Sequence, residues 1–214
     1  LTFDIDWCSD QVLLLTLDFI EKYNLKATIF VTHDTKLIER MRSNKNLELG
    51  IHPNFNPLLS GDFRYGNNIN EVISYYKNIV PEAVSVRSHS MTQNSRILES
   101  FEKFGLTYDV NTFIPFTSKI LCKPYKHWSN KLVKVPYFWE DDVHCHYGWD
   151  WNADKFLNYS GIKVFDFHPI HIYLNTEHLD RYEQSREHHN NEEILSNYVY
   201  KGYGSKSFFL DLIR

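Results

Sequence analysis

The chain has 214 residues, 43% hydrophobic and 16% aromatic, which is enough apolar material for one large domain spanning residues 1–214. Its formal net charge of −4, with 11 histidines counted neutral, excludes the basic footprint of a nucleic-acid-binding protein. No apolar run is long enough to span a membrane, and Cys8, Cys122 and Cys145 are too widely spaced for a disulfide scaffold. A reducing, cytoplasmic setting is therefore expected. The given sequence opens on an expected strand rather than on a charged and apolar leader pattern, and it lacks an initiator Met.

The first element, Leu1-Thr2-Phe3-Asp4-Ile5-Asp6-Trp7, reads as a strand carrying two carboxylates at alternate positions. Residues two apart on a strand face the same side, so Asp4 and Asp6 are expected to point together. Two such charges need a cation, a proton or hydrogen-bond donors nearby, unless they are simply a solvated pair at a strand end. Ser9-Asp10 then caps a helix with apolar residues from Val12 to Tyr23, and Ala27–Val31 is a short, nearly continuous apolar run typical of a buried parallel strand. Together they form a βαβ unit. A helix over Thr35–Met41 and a strand over Leu47–Ile51 follow, leading into His52-Pro53-Asn54-Phe55-Asn56.

Past a loop at residues 58–68 come a helix (Ile69–Ile79), a short strand (Ala83–Val86) ending in Arg87-Ser88-His89, and a helix (Gln93–Phe104) closed by Gly105. Strands are expected at Leu106–Val110, at Lys131–Trp139 interrupted by Pro136, and at Ile162–Phe167. Glu140-Asp141-Asp142 follows the second of these and His168-Pro169-Ile170-His171 the third. The polar stretch Glu177–Asn190, with His178, His188 and His189, reads as solvated, and Ser205–Ile213 as a terminal helix.

Alternating strands and helices indicate an α/β barrel or a doubly wound sheet. Every polar cluster follows the C-terminal end of a predicted strand, and a barrel gathers all those ends on one face. Each cluster has a chemical and an ordinary reading. His52 and Asn56 can reach one ion if a turn of helix separates them, or Asn56 can cap a His-Pro turn. Arg87 can orient a carboxylate or form a surface ion pair, and His89 can touch substrate or merely pack. The acids after Trp139 can line the cleft mouth or be solvated. His168 can donate a proton to a leaving amine or be a satisfied structural histidine.

These segments, in this order, resemble the polysaccharide deacetylases, the NodB-like family (carbohydrate esterase family 4), across nearly the whole chain. The nearest branch is that of the WbmS-like deacetylases of bacterial O-antigen clusters. The resemblance implies a distorted (β/α) barrel of about seven strands. It implies Asp4 as catalytic base, Asp6 and His52 as metal ligands with Asn56 in the third place, Arg87 steadying the base, and His168 as catalytic acid. Trp7, His89, Trp139, Asp141 and His171 are the expected substrate contacts. The implied cofactor is one divalent transition metal, zinc first, and the implied partner a carbohydrate bearing an acetamido sugar, cleaved to acetate and free amine. The match departs from the family pattern at Asn56, where a second histidine is usual, at Pro53, and at Ser88-His89. Hydrolysis of another amide on the same barrel, or a sugar-binding relic without metal, are the competing readings.

Overall fold

The computed structural model describes residues 1–214. Nine strands form one sheet: β1 (Thr2–Asp4), β2 (Ala27–Val31), β3 (Leu47–Ile51), β4 (Ser85–Val86), β5 (Tyr108–Asp109), β6 (Tyr125–Lys126), β7 (Val133–Lys134), β8 (Trp139–Glu140) and β9 (Phe165–Phe167). Their order is β6-β7-β5-β4-β3-β2-β1-β9-β8, parallel throughout except for the β6–β7 hairpin. The sheet is curled and open, the distorted barrel expected, with nine strands rather than about seven.

Of the two extra strands, β6 is the antiparallel partner of β7, and the other comes from a split. The segment expected as one strand, Lys131–Trp139, is cut at Pro136, and its halves lie near opposite edges of the sheet, β7 beside β5 and β8 beside β9. Proline has no N–H to continue a ladder. Trp139 is five chain steps from Lys134, so the sheet must curl until these strands approach within roughly 17 Å. The covalent chain thus spans the gap that hydrogen bonds leave open, helped by a parallel bridge between Phe113 and Tyr137. Curvature also needs room inside: a Cβ on Gly50 of β3 would come within 2.5 Å of Ser85 Oγ and 2.7 Å of the Phe30 ring, so only glycine fits there.

The longest helices start at side-chain caps. Ser9 Oγ accepts from the Val12 N–H at 3.4 Å and starts the helix Asp10–Lys22, which turns Val12, Leu13, Leu17 and Ile20 inward. Asn68 and Asn94 cap the helices Ile69–Ile79 and Ser95–Lys103 in the same way, and Gly105 takes φ +74° just beyond the latter. Where Thr35–Met41 was expected, the helix runs Ile38–Ser43. The polar stretch carries a helix, Leu179–Ser185, and the terminal helix is Ser205–Leu212.

Trp139 belongs to the core, which corrects its expected role as a substrate contact. Its ring is fully buried, stacked on Phe208 at 4.8 Å and packed on Phe167 at 4.9 Å, and its indole N–H donates to His144 Nδ1 at 2.9 Å. An indole with its one donor satisfied inside an aromatic layer is a core element.

Candidate active site

The site begins where β1 ends. The strand stops at Asp4 rather than running to Trp7, because Asp6 and Trp7 take left-handed conformations (φ 27° and 51°). Such conformations cost non-glycine residues on the order of 1–3 kcal/mol each. Cys8 N–H donates to the Ile5 carbonyl at 2.8 Å and Trp7 N–H to Thr32 Oγ1 at 3.0 Å, which holds the turn. Strand alternation therefore does not place Asp6; the turn does.

That turn brings Asp6 to two histidines from different strand ends. Asp6 Oδ1 lies 3.3 Å from His52 Nε2, Asp6 Oδ2 lies 3.4 Å from His89 Nδ1, and the two ring nitrogens are 3.4 Å apart. Asp6 Oδ1 is buried without a hydrogen-bond partner. Burial pushes the His52 imidazole down to about 3, so it is neutral with a lone pair free. Burial alone would raise the Asp6 carboxyl, but His52, His89 and His168 outweigh it and hold Asp6 well below the usual carboxylate range. Both groups are thus in the deprotonated form that a metal ion requires.

Asn56 does not share this cluster. It is exposed, and its Nδ2 donates to Ser90 Oγ at 3.1 Å while its Oδ1 accepts from Thr92 Oγ1 at 3.4 Å. Asn56 opens the helical turn Asn56–Leu59, and its amide is engaged by the loop after β4. Beside Asp6 and His52 the structure sets His89, while Asn56, expected in the third place, is bonded to Ser90 and Thr92.

Behind this cluster lies Asp4. Its Oδ2 is 3.4 Å from His52 Nδ1, and its Oδ1 accepts from Arg87 Nη1 at 2.9 Å. The same Nη1 donates to Asp166 Oδ1, while Nη2 donates to Thr2 Oγ1 at 2.9 Å and Nε to the Val110 carbonyl at 3.3 Å. The guanidinium also lies between Phe30 and Tyr137, 4.7 and 4.4 Å from their ring centres. Arg87 is therefore fixed on every side, and Asp4 with it. Burial raises the Asp4 carboxyl against the pull of Arg87, and burial lifts Asp166 well above its ordinary value.

His168 closes the other wall. Asp141 Oδ2 accepts its backbone N–H at 2.8 Å and Asp141 Oδ1 pairs with its Nδ1 at 2.7 Å, leaving Nε2 toward the cleft, 3.6 Å from Asp6 Oδ2 and 3.9 Å from Asp142 Oδ2. Burial works against the charged ring, but Asp142 and Asp141 override it and raise His168 well above its ordinary value. Asp141 is itself inaccessible, so its expected contact with substrate is corrected to a grip on His168. His171 is likewise buried, held through Nδ1 by Thr176 at 2.9 Å and through Nε2 by Asp142. It still lines a hollow of about 230 Å³ beside the cleft, together with Trp7, His168, Tyr182 and His189.

The structure thus assembles Asp4, Asp6, His52, Arg87, His89 and His168, with Trp7 and His171 at the adjoining hollow. Asp142 and Asp166 were not singled out individually from sequence. Asp166 had a signal: a carboxylate between Phe165 and Phe167 in an apolar parallel strand must be buried and so must have a partner.

An open parallel barrel with a buried Asp/His cluster at its strand ends places the chain in a class, and the comparisons agree on which one: the polysaccharide deacetylases, which are hydrolases. Residues 1–186 match the family model of the WbmS-like polysaccharide deacetylases, and the chain belongs to that family. A crystal structure from Bordetella bronchiseptica, of a candidate polysaccharide deacetylase involved in O-antigen biosynthesis, is similar at 45% identity. That match has a TM-score of 0.93 and covers 99% of this chain and 88% of the other. A candidate polysaccharide deacetylase from Mycobacterium smegmatis shares the fold at 18% identity, with a TM-score of 0.53 and coverage of 78% and 75%. No curated protein sequence matches the chain.

Proposed function

We propose that the chain is a metal-dependent N-deacetylase that removes the acyl group from an acetamido sugar of a bacterial surface polysaccharide or its precursor. One observation carries this reading. Ligand atoms bonded at about 2.0–2.1 Å in a tetrahedral zinc site stand about 3.3–3.4 Å from one another. His52 Nε2 and His89 Nδ1 are 3.4 Å apart, one Asp6 oxygen is 3.3 Å from the former and the other 3.4 Å from the latter, and one ligand atom from each residue lies within 4.8 Å of the others, so the three converge on the span of one such site. Two imidazoles and one carboxylate are the donor set of many catalytic zinc sites, which keep a further position open. These residues fit a divalent ion, zinc first.

Asp6, His52 and His89 would hold a divalent ion, which would supply Lewis-acid polarisation of an acyl carbonyl and a more acidic water. The rest falls to the chain. Asp4, immobilised by Arg87, takes the proton of the attacking water. His168 presents Nε2 to the cleft and protonates the departing sugar amine, while Asp141 fixes its ring through Nδ1. Asp142 and the neighbouring hollow bear on the rest of the sugar. The similarity to the Bordetella bronchiseptica protein supports a substrate on the route to O-antigen. The three free cysteines support a cytoplasmic site of action. No helix is long and apolar enough to cross a membrane.

The test is to assay acetate release from N-acetylated oligosaccharides by protein stripped with a chelator and then reloaded with zinc. Release that depends on the metal and disappears in Asp6→Ala supports the reading. Release unaffected by stripping, or none from any acetamido sugar by fully loaded protein, overturns it.

A further inference from the structure

Two consecutive residues after His89, Ser90 and Met91, adopt left-handed conformations (φ 54° and 53°), and neither is glycine. A loop bent in this way holds its shape only where its surroundings enforce it. The enforcing groups form a buried chain that the chemistry above does not use. Lys134 of β7 donates to Asp109 of β5, its register partner on the neighbouring strand. Asp109 Oδ1 accepts from the Asn111 backbone N–H at 2.9 Å and from Asn111 Nδ2 at 2.7 Å. Asn111 Oδ1 in turn accepts the Ser88 N–H at 2.7 Å, one residue before His89. Lys134 Nζ also donates to Gln93 Oε1 at 2.7 Å, and Gln93 Nε2 to the Asn111 carbonyl at 3.1 Å, at the far end of the same loop. Lys134, Asp109, Asn111 and Ser88 are all buried.

The chemistry of this chain has a direction. A carboxylate only accepts, so Asp109 draws the amide NH₂ of Asn111 and turns its oxygen toward Ser88. Without Asp109 the amide is free to flip, which would set its NH₂ against the Ser88 N–H. A buried ion pair is a poor source of net stability, and well-packed apolar residues often serve as well. An oriented amide is what such a pair supplies and apolar residues do not.

We propose that Lys134, Asp109 and Asn111 are positioning residues that hold His89 at its place beside Asp6 and His52. The inference rests on the metal-centre reading above for its functional meaning, while the positioning itself is a property of the metal-free protein.

Two variants test it: Asn111→Leu, and the paired Asp109→Leu/Lys134→Met, which removes both charges together. Zinc affinity is measured by competition with a chromophoric chelator, alongside the Co(II) absorption spectrum and the melting temperature of the metal-free protein. Loss of outer partners of metal ligands typically costs about 10–100-fold in affinity. That loss, a weakened or altered Co(II) spectrum, and faster amide exchange at His89 and Met91 in metal-free protein are expected in both variants. Lys131→Met, at an exposed lysine nearby, should behave as wild type.

If wild-type protein binds no zinc while the variants still speed exchange in the loop, the metal reading falls and the positioning stands. Unchanged exchange in the loop, or wild-type affinity and spectrum in variants of a protein whose His89→Ala form binds weakly, overturns the proposal. Should Asn111→Leu fail to fold, the paired variant gives the same readings.

Discussion

Asp141 holds His168 at two points, accepting its backbone N–H at 2.8 Å and pairing with its Nδ1 at 2.7 Å, so one carboxylate fixes both the ring's orientation and its tautomer. The proton on Nε2 then faces the cleft. The raised pKa of His168 has a defined sign. A histidine bound more tightly in its charged form stabilises the fold below its ordinary value, near 6.5, and that contribution is lost as pH rises through the raised folded value.

Asp141→Asn should therefore lower the pKa of His168, followed by NMR of the ring protons, and move the loss of stability to lower pH in thermal melts. General acid–base groups contribute about 10²–10⁴ in rate, and much of that should disappear from kcat for acetate release. An unchanged titration with normal turnover would show that Asp141 serves only packing.

His89 and Asn56 give opposite expectations. His89→Ala removes a ring nitrogen from the cluster, so zinc affinity should fall by more than the roughly 10–100-fold typical of outer-shell changes. Asn56→Ala loses one bond to Ser90 and a long one from Thr92 on an exposed turn, so affinity should change only severalfold. Asn56→His should not tighten zinc. Titration of the metal-free proteins decides, and a tighter Asn56→His variant would return the third position to that residue.

The contrast shows where the sequence stops being informative. β2 and β3 were legible residue for residue, because short runs of mostly apolar, β-prone residues between polar breaks read as strands of a parallel sheet. The caps Ser9, Asn68 and Asn94 mark local chemistry, although Asn68 and Asn94 stood out only once their helices were seen. His52 and Asn56, four apart, matched a metal-binding spacing, but spacing does not say which way the chain turns after a proline. His89 reaches Asp6 through a left-handed turn at Ser90-Met91 that no glycine announces. Trp139 was misplaced because a tryptophan before a run of acids suits a cleft wall and a core equally, and only the arrival of Phe208 from the last helix separates them. The split at Pro136 was visible, but not that its halves would lie near opposite edges of the sheet.

Glu140 follows a different pH law. Its carboxylate lines the cleft, accepts from the Tyr137 hydroxyl at 3.2 Å, and is pushed up to about 8 by burial, with Asp166 adding to the effect. Between its ordinary value of 4.5 and about 8 the native state keeps a proton that the unfolded chain has released, so stability falls as pH rises across that window. Glu140→Gln keeps the shape and removes the titration. The variant should gain stability over wild type from pH 5 toward pH 8 in melts of metal-free protein. A constant difference across that range would mean that Glu140 ionises normally.

Asp4 stands between two duties, and its substitution separates them. It faces the cleft as the proposed base, and it also lies 3.4 Å from His52 Nδ1, the nitrogen opposite the one turned to Asp6. A carboxylate behind a metal-bound imidazole raises its basicity, and losing one typically costs about 10–100-fold in metal affinity. A lost general base instead costs about 10²–10⁴ in rate with the ion still bound. The geometry favours the base: Asp4 Oδ1 is spent on Arg87, and His52 Nδ1 has no hydrogen-bond partner, so the approach of Asp4 Oδ2 is not a formed bond. Asp4→Asn should therefore bind zinc within a few-fold of wild type and lose about 10²–10⁴ in kcat, with KM little changed. Arg87 would keep an amide oxygen to donate to, so the fold should survive. A variant that turns over normally once zinc is saturating, after a large loss of affinity, would assign Asp4 to the support of His52 and leave the role of base to another group.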